Sequence, residues 1–115
     1  MSAGRYETWD LNELKEALLS GLPDDYLGLW EIAALLRHAG ISSFEDRRRV
    51  GLLLVRDLLL NDHVVAGFLG EKGSFDPWPL EPAQALARIE EEWLARHDDP
   101  NINDICWFDA TDAGG

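Results

Sequence analysis

The sequence predicts a mostly helical α+β domain whose elements run α-α-α-β-α-β. Three observations lead there. Leucines recur at three- and four-residue spacing in three N-terminal stretches, closed by Gly21, Gly40 and Asn61-Asp62, as in short amphipathic helices. The period changes at HVVAGFL (His63–Leu69), a short β-branched run that reads as a strand. A fourth helical pattern then separates that run from a second apolar one, ICWFD (Ile105–Asp109). With 115 residues, 46% of them hydrophobic, the chain fits a single domain spanning 1–115. That length buries a core without metal or disulfide staples. Residues 1–8 and 110–115 read as frayed ends.

Each element has its own signals. Asp10, with Glu13 three residues on, opens the first helix as a variant capping box. Leu11, Leu14 and Leu18 make its apolar stripe, and Gly21 suits its stop. The second helix follows Pro23-Asp24-Asp25, with acids near the positive helix end, and places Leu29, Ile32, Ala33 and Leu36 on one face. The third starts on Ser42 with Glu45 or on Ser43 with Asp46, and runs to about Leu60. GEKGSFDPWP reads as turn and loop, because Gly and Pro interrupt both regular structures. Pro82 suits the first position of a fourth helix reaching about Arg96, with Leu86, Ile89 and Trp93 inward. DDPNIND is a turn, and the two strands are expected to pair antiparallel with the fourth helix between them in the chain.

Over residues 9–69 plus the last strand, this order resembles a winged-helix scaffold whose wing is enlarged by a helix. The resemblance implies a reading helix in the third position, and the charges speak against DNA as its target. On a helical wheel Gly51, Leu54, Val55 and Leu58 face the core, while Glu45, Arg49, Leu52, Leu53, Arg56 and Leu60 lie opposite. A base-reading face calls for Arg, Lys, Asn and Gln, and three leucines suit a polar groove badly. Residues 71–115, which include the wing, hold eleven acids and three cations, net −8. Phosphates would be repelled, so no nucleic-acid partner is expected. Arg47-Arg48-Arg49, the one basic cluster, reads as a solvated first turn paired with Glu45 and Asp46.

Catalytic chemistry finds little support. His38, His63 and His97 are far apart, and none has a partner at the spacing of a helical zinc pair. Cys106 lies within an apolar run, where a thiol behaves as a small hydrophobe with a raised pKa. The run from Asp99 to Asp104 imitates the opening of a calcium loop, but Asp104 replaces its glycine and Ala110 its bidentate glutamate. Gly67, Gly70 and Gly73 follow a strand without a helix start to hold a phosphate. No enzyme, metal or cofactor is implied. A small enzyme with acidic metal ligands is the most remote alternative.

What the composition favours is a binding surface. The formal charge is −12, from 22 acidic and 10 basic residues, which favours a cationic partner. Glu91 and Glu92 project from the fourth helix, Asp98 and Asp99 follow it, and Phe75 and Trp78 are candidate aromatic anchors. Trp78 serves equally well as a core cap. Arg49, Leu53 and Arg56 form a second candidate contact, for another protein or a homodimer; the competing reading covers those leucines with helix one, helix four or the tail. One cysteine, no apolar run of membrane-spanning length and no leader pattern suggest a cytoplasmic protein with no membrane partner. Size, acidity and the lack of catalytic motifs are similar to those of immunity proteins of bacterial toxin systems. That resemblance implies an inhibitor of a basic toxin nuclease domain. The alternative is a winged-helix-like regulator or accessory subunit acting through protein contacts.

Overall fold

The predicted helices and strands form in the predicted order, and two short strands join them. A computed structural model of the chain describes residues 11–21, 26–70, 73–100 and 104–110. Its elements are α1 (Leu11–Gly21), β1 (Leu27–Gly28), α2 (Leu29–His38), α3 (Phe44–Leu60), β2 (Val64–Leu69), β3 (Phe75–Pro77), α4 (Pro82–Leu94) and β4 (Trp107–Ala110). Asp10, Pro23-Asp24-Asp25 and the expected frayed ends 1–8 and 110–115, except for Ala110, lie outside the described residues. Ala110 pairs with Val64.

Local chemistry explains where the helices begin and end. Ser43 caps α3 by accepting the Asp46 amide at 3.2 Å, which selects the second of the two expected starts. The Glu31 carboxylate accepts the Gly28 amide at 2.8 Å and holds the first turn of α2. The Gln84 side chain does the same for the Glu81 amide at 3.0 Å, just ahead of Pro82. Gly40 ends the α2 segment at φ 101°, a backbone region that glycine enters without strain.

All four described strands form one antiparallel sheet in the order β1-β4-β2-β3. Register sorts its faces. Leu27, Phe108 and Ala66 stand in one row and are buried, while Gly28, Trp107 and Gly67 form the next row on the opposite face. The stretch expected to be only loop contributes β3, with Phe75, Asp76 and Pro77 opposite Leu69, Phe68 and Gly67. Pro77 is tolerated because β3 is an edge strand, where a missing amide disrupts no further ladder. The last strand starts two residues later than expected. Ile105 turns the chain at φ 65°, and Cys106 sits just ahead of β4 rather than within it.

The core lies between the helices and the inner face of the sheet. Leu29, Ile32 and Leu36 from α2, Leu54, Val55 and Leu58 from α3, and Ile89 and Trp93 from α4 are fully enclosed with Val64 and Phe108. Burying a side chain of this size contributes about 1.5–3 kcal/mol. Helix α3 is the hub, packed against α1, α2, α4 and β2. Its Gly51 leaves a notch for the Trp93 indole: a Cβ at Gly51 would lie 2.5 Å from the Trp93 ring. Gly51→Ala should therefore destabilise by about 1–3 kcal/mol, the usual cost of overpacking. In Gly51→Ala/Trp93→Phe the smaller ring removes the collision, so the double variant should lose less than the two single losses added together. Chemical denaturation of the four proteins measures this, and strict additivity would contradict the contact.

Candidate functional site

The turn after α4 is built around a carboxylate that the sequence placed on the surface. Asp99 is drawn inward, with its side chain 11% exposed. Arg47 Nε donates to both Asp99 oxygens at 3.2 and 3.1 Å, and Arg47 Nη2 lies 2.9 Å from Oδ2. Arg37, near the end of α2, donates to the same carboxylate at 2.6 Å. Arg47 Nη1 also donates to the Ile41 carbonyl at 2.9 Å. Arg47 is thus a buried residue joining the α2–α3 connection to the turn after α4, which corrects its expected place in a solvated first turn. Asp99 is likewise an internal counter-ion. It does not belong to an open acidic face.

Burial alone would raise the Asp99 pKa, but the hydrogen bonds and charges of Arg47 and Arg37 outweigh it and hold the carboxyl below its ordinary value. Its stabilising contribution is complete above the unfolded carboxylate pKa of about 4 and is lost as pH falls through the lowered folded value. Asp99→Asn should cost about 3 kcal/mol at pH 7, because it leaves Arg47 without its counter-charge. The melting-temperature gap between wild type and Asp99→Asn should narrow steadily as pH falls below about 4. A gap that stays constant there would remove the ion pair from the account.

The remaining acids divide. Asp98 is paired with Arg96 at 3.0 Å, yet its side chain is 73% exposed. Asp104 is bound by the same arginine at 3.1 Å, so both acids flanking 101–103 serve the turn. Residues 101–103 themselves lie outside the described residues. On α4, Glu92 accepts from Arg88 at 2.9 Å while Glu91 projects into solvent. Arg88 also covers the Trp78 ring at 3.9 Å and lies 5.5 Å from the Phe68 ring. Trp78 is buried under this lid, in the role of core cap.

Phe75 points elsewhere. It belongs to the opposite face of the sheet, stacked on Tyr26 with ring centroids 5.5 Å apart. The two aromatic residues grouped in the sequence therefore make no joint anchor. On α3, Arg49 is paired with Asp46 at 2.9 Å and Arg48 lies over the Phe44 ring at 5.1 Å. Leu53 and Leu60 are 46% and 44% exposed, and Arg56 stands between them in solvent. Leu52 is half-buried against the core. Tyr26, Phe68 and Arg88 escaped the sequence reading. Only the alternation of Phe68 with Ala66 hinted at its side of the sheet.

Among the described residues, no group of three His, Cys, Asp or Glu side chains is placed to hold a metal ion. The three histidines sit at or just beyond the ends of α2, α3 and α4. Burial, with a smaller contribution from Glu92, pushes the Cys106 thiol far above its ordinary pKa, where it stays protonated and unreactive. In the native protein Cys106 should resist a thiol reagent and label only on unfolding, and Cys106→Ala should cost about 1 kcal/mol. Fast stoichiometric labelling under native conditions would contradict its enclosure. No family model, curated protein or solved structure matches the chain.

Proposed function

We propose that this protein is a non-catalytic binding module that neutralises a cationic protein, in the manner of an immunity protein or inhibitor of a basic toxin nuclease domain. The supporting observation is the disposition of its charge. Lys15, Arg37, Arg47, Arg49, Arg88 and Arg96 each lie within 2.6–3.2 Å of a carboxylate of the same chain. Six of the ten positive charges are thus consumed locally. Glu13, Glu16, Glu45, Glu81 and Glu91 remain exposed. Among the described residues these acids lie on solvated surface, where their charge acts at long range.

Such a surface attracts a cationic groove before any close contact forms, raising the association rate. Glu91 and the exposed Asp98, with Glu92 beside them, form the acidic strip best placed to occupy positions that a nuclease keeps for phosphates. Asp99 contributes by holding the turn in shape. A reducing compartment such as the cytoplasm suits the free, buried Cys106.

Capture from a native lysate on the immobilised protein, with the bound species identified by mass spectrometry, tests the reading. The expected partner carries net positive charge and elutes as salt shortens the Debye length below about 10 Å. Glu91→Lys should keep the melting temperature of the wild type and slow association with that partner, and the difference should fade at high salt. A partner without basic character, retained equally at all salt concentrations, would overturn the proposal.

A further inference from the structure

We propose that the groove on the outer face of the sheet, bordered by the Tyr26 and Phe75 rings and the Asp109 carboxylate, is a binding site for an arginine side chain of a partner protein. The inference deepens the reading of a cationic partner, and rests on that reading for the occupant being a protein. The site lies on the sheet, away from the acidic strip of α4.

Strand geometry brings these groups together. Tyr26 stands just ahead of β1 at one edge of the sheet, and Phe75 opens β3 at the other. Their rings nevertheless stack, with centroids 5.5 Å apart and planes 17° from parallel. Gly67 makes the crossing possible. A Cβ there would point to the outer face and collide with the Asp76 carbonyl and the Pro77 Cα, so β3 leans over that face. Val65 and Asp109 are register partners and form the next outward-facing pair after Gly67 and Trp107. With Pro77 they line a shallow groove that Tyr26 and Phe75 also line.

Charge and shape together select the occupant. Among the described residues Asp109 is the only charged group lining the groove, and no described cation pairs with its carboxylate. A cation seated there meets aromatic rings and a carboxylate at once, and both attract positive charge. A guanidinium uses the two in one pose. Its plane stacks on a ring while its fork donates two parallel N–H bonds to a carboxylate. An ammonium is a point charge with no plane to stack. Asp109 is half-buried, so solvent screens it less than the exposed Glu91 and Asp98. The groove opens to solvent beside the exposed Val65, so a side chain projecting from a protein surface can enter it.

Titration of the full chain with a blocked tripeptide carrying arginine between two glycines, followed by amide chemical shifts at low salt, tests the site. The Val65, Phe75 and Asp109 amides should move and saturate together. Citrulline in place of arginine keeps the shape without the charge and should abolish these shifts; lysine should bind more weakly. Asp109→Asn should weaken binding of the arginine peptide about tenfold, as expected for a charge-assisted pair. Phe75→Leu keeps apolar bulk but loses the ring face, and should weaken it about threefold. Should Asp109→Asn fail to fold, Phe75→Leu and the citrulline peptide decide. Groove amides that stay still, equal affinity for arginine and either replacement, or a site indifferent to both substitutions would overturn the proposal. A basic partner captured from lysate equally by wild type and Asp109→Asn would overturn the groove and leave the wider reading intact. A groove that binds the arginine peptide while capture returns no basic partner would overturn the wider reading alone.

Discussion

The close approach of Trp93 to Gly51 sets the spacing between α4 and α3, and the other layers of the molecule are arranged around that distance. A glycine in mid-helix costs roughly 1 kcal/mol relative to alanine. Here it makes room for the indole of a fully enclosed tryptophan, whose burial contributes more than the glycine costs. Leu36 of α2 borders the same notch, so three helices meet there. Because α3 also contacts α1 and β2, a shift of α4 away from Gly51 would loosen the helical layer and the sheet it covers.

The helices were legible because each repeats its leucines with the helical period and carries its own stop. Leu29, Ile32, Ala33 and Leu36 were read as one face and are buried as one. The strands β1 and β3 were not legible for a physical reason. Two or three residues contain no measurable alternation, and they exist because longer neighbours, β4 and β2, offer them partners. Pro77 even carries the wrong local signal, harmless only at the edge of a sheet.

The candidate site was less legible than the fold, because its deciding contacts span long stretches of chain. Arg47 and Asp99 are 52 residues apart, and nothing in RRR distinguishes the arginine that turns inward from its two neighbours. Asp98 and Asp99 are adjacent and chemically identical, yet one is solvated and the other is caught between two guanidinium groups. Phe75 and Trp78 looked like a pair because they are close in sequence. Strand pairing through Pro77 sends them to opposite faces of the sheet.

These contacts share one consequence for function. An ion pair that joins elements removes its cation from the surface, so structural pairing and surface polarity are linked in a chain with 22 acids and only 10 cations. Arg37 and Arg47 both serve Asp99, and Arg96 serves Asp98 and Asp104. As cations are spent in this way, the remaining carboxylates stand on the outside with little to screen them but salt. The exception is α3, which has three acids and four cations and leaves leucines exposed. The molecule thus offers two physically different surfaces. One is acidic and acts at a distance, with a strength set by ionic strength; the other exposes leucines and acts only on contact.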